Sequence, residues 1–395
     1  SRDIKKLPHH EMLKSFGACF GVSGGYERPM WFALNGEKAE YQYSYNYQNW
    51  YPSAEYETKN TVKNIGLYDL TPFSKFEIIS EKAHQELQKI CTANIKNEVG
   101  KCTYTQMLNS DGGIETDLTV ICLDKNYFRL VSSAATRERD KFHIKKHLSK
   151  EIELRDVTDD YCVFGLFGPK SRDLIKTISN ENFENDNFKF GTGKYIIIEN
   201  IKIWTQRLSY VGELGYELYV EFKDAKKIYE LIIDKGKDFN LSNCGMHAMD
   251  IMRMESGYLH WGHDISPKEN QYEAGLNFAI SFKKDVNFLG KDVLLEMKDK
   301  KPNKRLVMLT LKNSKPGEPL LLHDEPIYLD DKIIGETTSG NFSFNFNKNL
   351  SFGYIKSNLG NEELFKKNIY IEIEKKKHLA EILSKPLKQS NFKKI

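Results

Sequence analysis

Between Leu208 and Val220 the chain reads Leu-Ser-Tyr-Val-Gly-Glu-Leu-Gly-Tyr-Glu-Leu-Tyr-Val, and few backbone paths satisfy that order. Gly212 and Gly215 break an apolar run, as a tight connection into a strand does. After them the alternation is clean. Tyr216, Leu218 and Val220 fall on one side, while Glu217, Tyr219 and Glu221 fall on the other. The second side sets a carboxylate beside an aromatic ring. That pair suits a flat heterocycle carrying ring N–H donors; it also suits an antiparallel strand with one solvated face.

With 395 residues the chain exceeds one comfortable core, so two or three domains are expected. A hydrophobic content of 40% with 12% aromatics supports globular folding rather than extensive disorder. The 58 basic residues are nearly balanced by 55 acidic ones, leaving a net charge of +3. The lysines are scattered apart from Lys375–Lys377 and Lys393–Lys394, so no nucleic-acid footprint is read. No apolar stretch approaches the ~20 residues of a membrane span. No signal-peptide pattern is seen, and Ser1 is read as a processed or trimmed start. Six cysteines lie far apart without a C-x-x-C spacing, which points to buried reduced thiols, no zinc site and a cytoplasmic location.

Residues 1–55 read as an irregular, aromatic-rich lead-in, with Tyr41, Tyr43, Tyr45, Tyr47, Trp50 and Tyr51 set among polar residues. From 56 to 295 strands and helices alternate irregularly. Helices are expected at 81–91, 137–148, 170–178, 224–235 and 247–257, the fourth with Asp224 as its N-cap and Gly236 as its stop. Residues 296–304 form a charged, proline-containing linker. Beyond it, 305–395 shows short strands with turn signals, the pattern of a small antiparallel barrel. No internal repeat is evident. The fold class is α+β.

No G-x-G-x-x-G is present. Gly17–Gly25 has the wrong spacing, and Gly191-Thr-Gly-Lys194 lacks the rest of a P-loop, so dinucleotide and nucleoside-triphosphate binding have no visible means. Asp111-Gly112-Gly113 signals a turn between antiparallel strands, and Asp117 follows where the next strand becomes apolar. A carboxylate at that boundary serves either as a partly desolvated proton acceptor or as a turn cap satisfied by backbone N–H groups. Met246, Met249 and Arg253 share a helical face; the arginine either pairs with Asp250 or reaches an anionic ligand as a planar fork. His260 and His263 lack a third metal ligand, so an orienting role is read for them. The glycine-punctuated segments 335–340 and 351–355 need no ligand.

Together these segments resemble the aminomethyltransferase family, the T-protein of glycine cleavage. The resemblance is closest to the folate-binding C-terminal half of dimethylglycine and sarcosine dehydrogenases. It rests on Gly66–Phe73, Gly112–Asp117, Ser209–Glu217, His260–Ile265 and Thr337–Gly340, in order, and spans about residues 10–385. The lead-in around Tyr26–Phe32 looks like the junction after the flavin domain of those dehydrogenases. The resemblance implies three subdomains in a ring around tetrahydrofolate, the third a small C-terminal β-barrel. It implies that Asp117 stands by the reacting folate nitrogens. Glu217 would bond the pterin ring with Tyr219 alongside, Leu70 and Tyr210 would line the pocket, and Arg253 would meet the folate tail. Phe392 would stand where the family has a tyrosine, without the hydroxyl. The implied reaction moves an aminomethyl or methylene group from an N-methyl amine onto tetrahydrofolate, giving 5,10-methylenetetrahydrofolate. The alternatives are demethylation of an onium donor and non-catalytic folate binding. No flavin-binding half is present, so a flavin-dependent amine dehydrogenase subunit or a lipoyl carrier protein is the implied partner.

Overall fold

The computed structural model describes residues 2–389 and 391–395; Ser1, read above as a trimmed start, lies outside them. The lead-in is more regular than its composition suggests. Helix α1 (His10–Ser15) precedes a hairpin of β1 (Ala18–Ser23) and β2 (Tyr26–Phe32), and α2 (Tyr51–Lys63) follows. The expected boundary at 55/56 falls inside α2. This helix turns Ser53, Glu57, Thr58, Asn60 and Thr61 inward, so it carries no apolar stripe to betray it. Glu57 earns its burial by accepting the Phe32 N–H at 2.9 Å and the Gly245 N–H at 2.8 Å.

The body continues with β3 (Ile65–Asp69), β4 (Ser74–Ile79), α3 (Ala83–Ile90), β5 (Cys102–Leu108), β6 (Ile114–Asp124), β7 (Tyr127–Ser132) and α4 (Arg137–His147). After β8 (Leu154–Asp156) and β9 (Tyr161–Phe167) come α5 (Ser171–Ile178), β10 (Thr192–Ile198), β11 (Ile201–Arg207) and β12 (Gly215–Glu221). Then α6 (Ala225–Gly236), β13 (Leu241–Cys244), α7 (Met246–Glu255) and α8 (Lys291–Met297) complete it. Two sheets result, one ordered β5-β6-β7-β4-β8 and the other β10-β11-β12-β9-β3-β13. They meet where Gly193 N donates to Gly100 O at 2.7 Å and Cys102 N to Gly191 O at 2.9 Å. Gly100 has φ +90, and a Cβ there would sit 2.6 Å from Gly193 O, so only glycine permits this seam.

The third body is a closed barrel of β14 (Arg305–Leu311), β15 (Pro326–Leu329), β16 (Lys332–Ser343), β17 (Lys348–Ile355), β18 (Ile369–Ile373) and β19 (Lys376–Leu383). The α+β class and the terminal barrel stand as the sequence implies. Two local expectations do not. Asp224 holds the N-cap position but its side chain makes no capping hydrogen bond, and Gly236 keeps ordinary helical geometry while Asn240, at φ 55, ends the turn beyond it.

Cores lie on the outer face of each sheet. Tyr216, Leu218 and Val220 of β12 pack with Leu174, Ile228 and Ile232 of α5 and α6; Leu118 and Val120 of β6 pack with Leu87 and Ile144 of α3 and α4. Between the sheets lies a further cluster. It joins Ile121 and Leu123 of β6, Tyr219 of β12, Trp204 of β11, Tyr68 and Leu70, and Met249 and Met252 of α7. Strand β12 therefore buries both faces, and the alternative of one solvated face does not hold.

Candidate active site

Glu217 projects from β12 on the side of the central cluster. It lies directly opposite Gln206 of β11 in the antiparallel register. Gln206 Nε2 donates to Glu217 Oε2 at 2.8 Å, and the Tyr219 hydroxyl lies 3.5 Å from the same oxygen. Trp204 Nε1 in turn donates to Gln206 Oε1 at 3.1 Å. Burial pushes the Glu217 carboxyl up to about 7, against the opposing pull of the Gln206 and Tyr219 donors. Both donors use one oxygen, which leaves Oε1 for a ligand.

Asp117 occupies the matching place in the other sheet. It faces Gln106 of β5, whose Nε2 donates to Asp117 Oδ1 at 2.7 Å. The turn before β6 is capped by Asn109 instead, whose Oδ1 accepts from Asp111 N at 3.0 Å and Gly113 N at 2.8 Å. The turn-cap reading of Asp117 is thereby corrected. Burial pushes this carboxyl up to about 6, opposed by hydrogen bonds from Gln106 and Tyr104. An aspartate at its reference value of about 3.9 is a weak base at neutral pH; the raised value makes this one a better proton acceptor.

Alternation along β6 places Asp117 on the side of Ile121 and Leu123, so both carboxylates open toward the central cluster from different sheets. Leu70 and Tyr219 belong to that cluster, and Tyr210 packs against it. The Tyr210 hydroxyl donates to Leu259 O at 2.8 Å, and its ring stacks near Tyr258 at 6.1 Å. Tyr210 lies within electrostatic reach of both Asp117 and Arg253.

Two residues behave otherwise. Arg253 is 2% exposed, and its guanidinium is engaged by protein. Nε donates to Asp250 at 2.8 Å, Nη1 to Tyr258 O at 3.0 Å and to Asp264 at 2.5 Å, and Nη2 to Ser339 at 2.9 Å. Four of its five N–H donors are thus taken, which favours the local pairing over a fork aimed at a ligand. Phe392 is buried away from the cluster, edge-on to Phe190 at 5.4 Å, with its carbonyl accepting from Arg207. The structure does not bring it to the carboxylates. The His260 and His263 rings lie 4.6 Å apart, and among the described residues no cluster of three or more acidic, His or Cys side chains is arranged to hold a metal.

Sequence reasoning passed over Gln106, Gln206, Trp204, Tyr104, Gln271 and Asp264. A usable signal was present. Each site carboxylate follows its glutamine by 11 residues.

The fold defines a class: an α+β body of two joined sheets, each carrying a half-buried carboxylate on its inner side, with a closed β-barrel. Residues 9–284 match the family described as the GCVT N-terminal domain, and residues 304–388 match the glycine cleavage T-protein C-terminal barrel domain. The chain belongs to this aminomethyltransferase family. Among curated relatives, 4-methylaminobutanoate oxidase (formaldehyde-forming) of Paenarthrobacter nicotinovorans is 36% identical, over 86% of this chain and 41% of its own length. Mitochondrial dimethylglycine dehydrogenase of Rattus norvegicus is 31% identical, over 93% of this chain and 42% of its own length. The chain thus spans about two-fifths of those relatives. An aminomethyltransferase of Halothermothrix orenii is 30% identical, over 89% of this chain and 92% of its own length. The crystal structure of glycine cleavage system aminomethyltransferase T from Bartonella henselae superposes with a TM-score of 0.82 over 98% of both chains at 22% identity, which shows a shared fold.

Proposed function

We propose that this chain is a tetrahydrofolate-dependent one-carbon transferase that forms 5,10-methylenetetrahydrofolate from an N-methyl amine-derived group. The observation that carries the reading is the pair of half-buried carboxylates, Asp117 and Glu217, opening from two sheets onto one aromatic-lined cluster. The donor set fits a reduced pterin. A carboxylate with one oxygen already bonded offers its other oxygen to ring N–H groups, and the Tyr219 ring and the Leu70 side chain supply apolar contact. Bound tetrahydrofolate supplies the nucleophilic nitrogens that take up the one-carbon unit. Glu217 orients the ring. Asp117 holds its negative charge against the cationic character of the incoming carbon and accepts the proton released, with position contributing more than basicity. A flavin-dependent amine dehydrogenase is the proposed source of that carbon, in keeping with the oxidase and dehydrogenase names among the relatives. A lipoyl carrier protein is the rival source, in keeping with the aminomethyltransferase relatives.

The test is to incubate the chain with tetrahydrofolate and N-methylated amines, with and without a flavin dehydrogenase, and to identify the folate product. Formation of 5,10-methylenetetrahydrofolate supports the reading, while 5-methyltetrahydrofolate means methyl transfer from an onium donor instead. Asp117→Asn should lower turnover more than folate affinity, and Glu217→Gln should weaken folate binding. Tight binding without turnover for every donor rejects the catalytic reading.

A further inference from the structure

The two site carboxylates are held by the same device in different sheets. In each, a glutamine sits directly across an antiparallel pair from the carboxylate, 11 residues before it in sequence. Gln106 and Gln206 are 0% and 1% exposed. A buried glutamine can face a carboxylate with either end of its amide, and only the NH2 end is attractive, because an ionised carboxylate accepts and never donates. What fixes the choice lies behind each amide. Trp204 Nε1 can only donate, and it donates to Gln206 Oε1. Gln271 Nε2 donates to Gln106 Oε1 at 2.5 Å and to Thr92 Oγ1 at 3.1 Å. Gln271 is itself fully buried, and its Oε1 has no hydrogen-bond partner among the described residues. A buried amide that forgoes an acceptor bond in order to make two donor bonds is placed for those donations.

We propose that Gln106 and Gln206 are positioning residues, each locked by a donor behind it so that its NH2 group pins one oxygen of a site carboxylate and fixes how that carboxylate meets the ligand. The proposal rests on the folate reading above for the ligand's identity, but the lock itself is a property of the unliganded chain. Each lock favours the ionised carboxylate over the neutral acid that burial would otherwise prefer. For Asp117 the other groups in reach are Tyr104 on β5, Asp140 on α4 and Tyr210; for Glu217 they are Tyr219 on its own strand and Cys102 on β5. None of these is a cation, so the glutamine amides are the main groups opposing the burial of charge.

The experiment follows each carboxyl directly in the full chain. Infrared difference titration, with Asp117→Asn and Glu217→Gln to assign the bands, gives the pH at which each loses its proton. Calorimetry with tetrahydrofolate across the neutral range gives affinity. Gln206→Leu should move the Glu217 titration upward by about 1–2 pH units, the 10- to 100-fold that a hydrogen bond to a charged group is worth. It should weaken tetrahydrofolate binding at neutral pH by a similar factor, with the loss shrinking as pH rises. Gln106→Leu should move the Asp117 titration in the same way. Trp204→Phe keeps an aromatic ring but removes the lock, and it should reproduce a smaller part of the Gln206→Leu shift. It also serves should the leucine variants fail to fold. Titrations that stay in place while thermal stability falls would show the amides to be core packing and would overturn the proposal. A lock that behaves as stated, while Glu217→Gln leaves tetrahydrofolate affinity untouched, would reject the folate reading alone.

Discussion

Burying a carboxyl group couples the site to proton uptake. The folded chain holds Asp117 up from 3.8 to about 6 and Glu217 up from 4.5 to about 7, burial being the first cause for both. Between the unfolded and folded values the folded state binds more protons than the unfolded one. The stabilising contribution of both groups is therefore complete below about pH 4 and is lost as pH rises through about 6 to 7. Asp117→Asn and Glu217→Gln are neutral at every pH. Without ligand, each should melt at a higher temperature than the unmodified chain at pH 8, with the gap closing toward pH 5. Thermal melts across that range test this, and a gap independent of pH would mean that the carboxyls carry no buried charge. Such a gain in stability set against a loss of function is the trade expected of residues placed for chemistry rather than for folding.

At the scale of strands and helices, the seam between the sheets decides whether the two carboxylates share one cluster. Gly100→Ala forces a Cβ against Gly193 O, to which no flexible side chain can yield. It should weaken tetrahydrofolate binding although Gly100 bears no ligand-facing group, and calorimetry measures this; unchanged affinity would mean that the seam does not set the distance across the site. The sequence made many elements readable, and the exceptions have separate physical causes. Helices α3, α4, α5, α6 and α7 fall within two residues of expectation, since their neighbouring turns and apolar positions are visible one residue at a time. Strand β3 lies inside its sheet with almost every residue buried and shows no polar side, β13 is a four-residue edge strand too short to show a period, and the buried face of α2 is polar. Asp117 and Glu217 were singled out from strand context, but the glutamines that hold them were not. A buried glutamine on a strand looks like any half-exposed polar position until its cross-strand partner is known.

The barrel is tied to the body through charge rather than through apolar area alone. Asp264, 0% exposed, accepts from Thr338 at 2.6 Å and Ser339 at 2.7 Å of β16 through Oδ1, and from Arg253 of α7 through Oδ2. Its carbonyl takes the Tyr354 hydroxyl of β17 at 2.8 Å. Asn341 Nδ2 reaches Asp250 at 3.0 Å, and Ser343 Oγ reaches Glu255 at 2.6 Å, so one barrel strand supplies donors to three carboxylates of the body. Within this lattice the local pattern reveals only the pairing of Arg253 with Asp250; its bond to Ser339, 86 residues on in the barrel, is legible only in the fold. A buried carboxylate without partners is unfavourable, so these donors compensate the burial of Asp264. Removing both hydroxyl donors at once, as Thr338→Val with Ser339→Ala, leaves one oxygen of that carboxylate unsatisfied and weakens the join more than either domain. Differential scanning calorimetry should then resolve two transitions, barrel and body, with the barrel residues losing hydrogen-exchange protection first. A single transition in the double variant would mean that apolar packing of Met254, Met308, Leu350 and Phe352 suffices to hold the barrel in place.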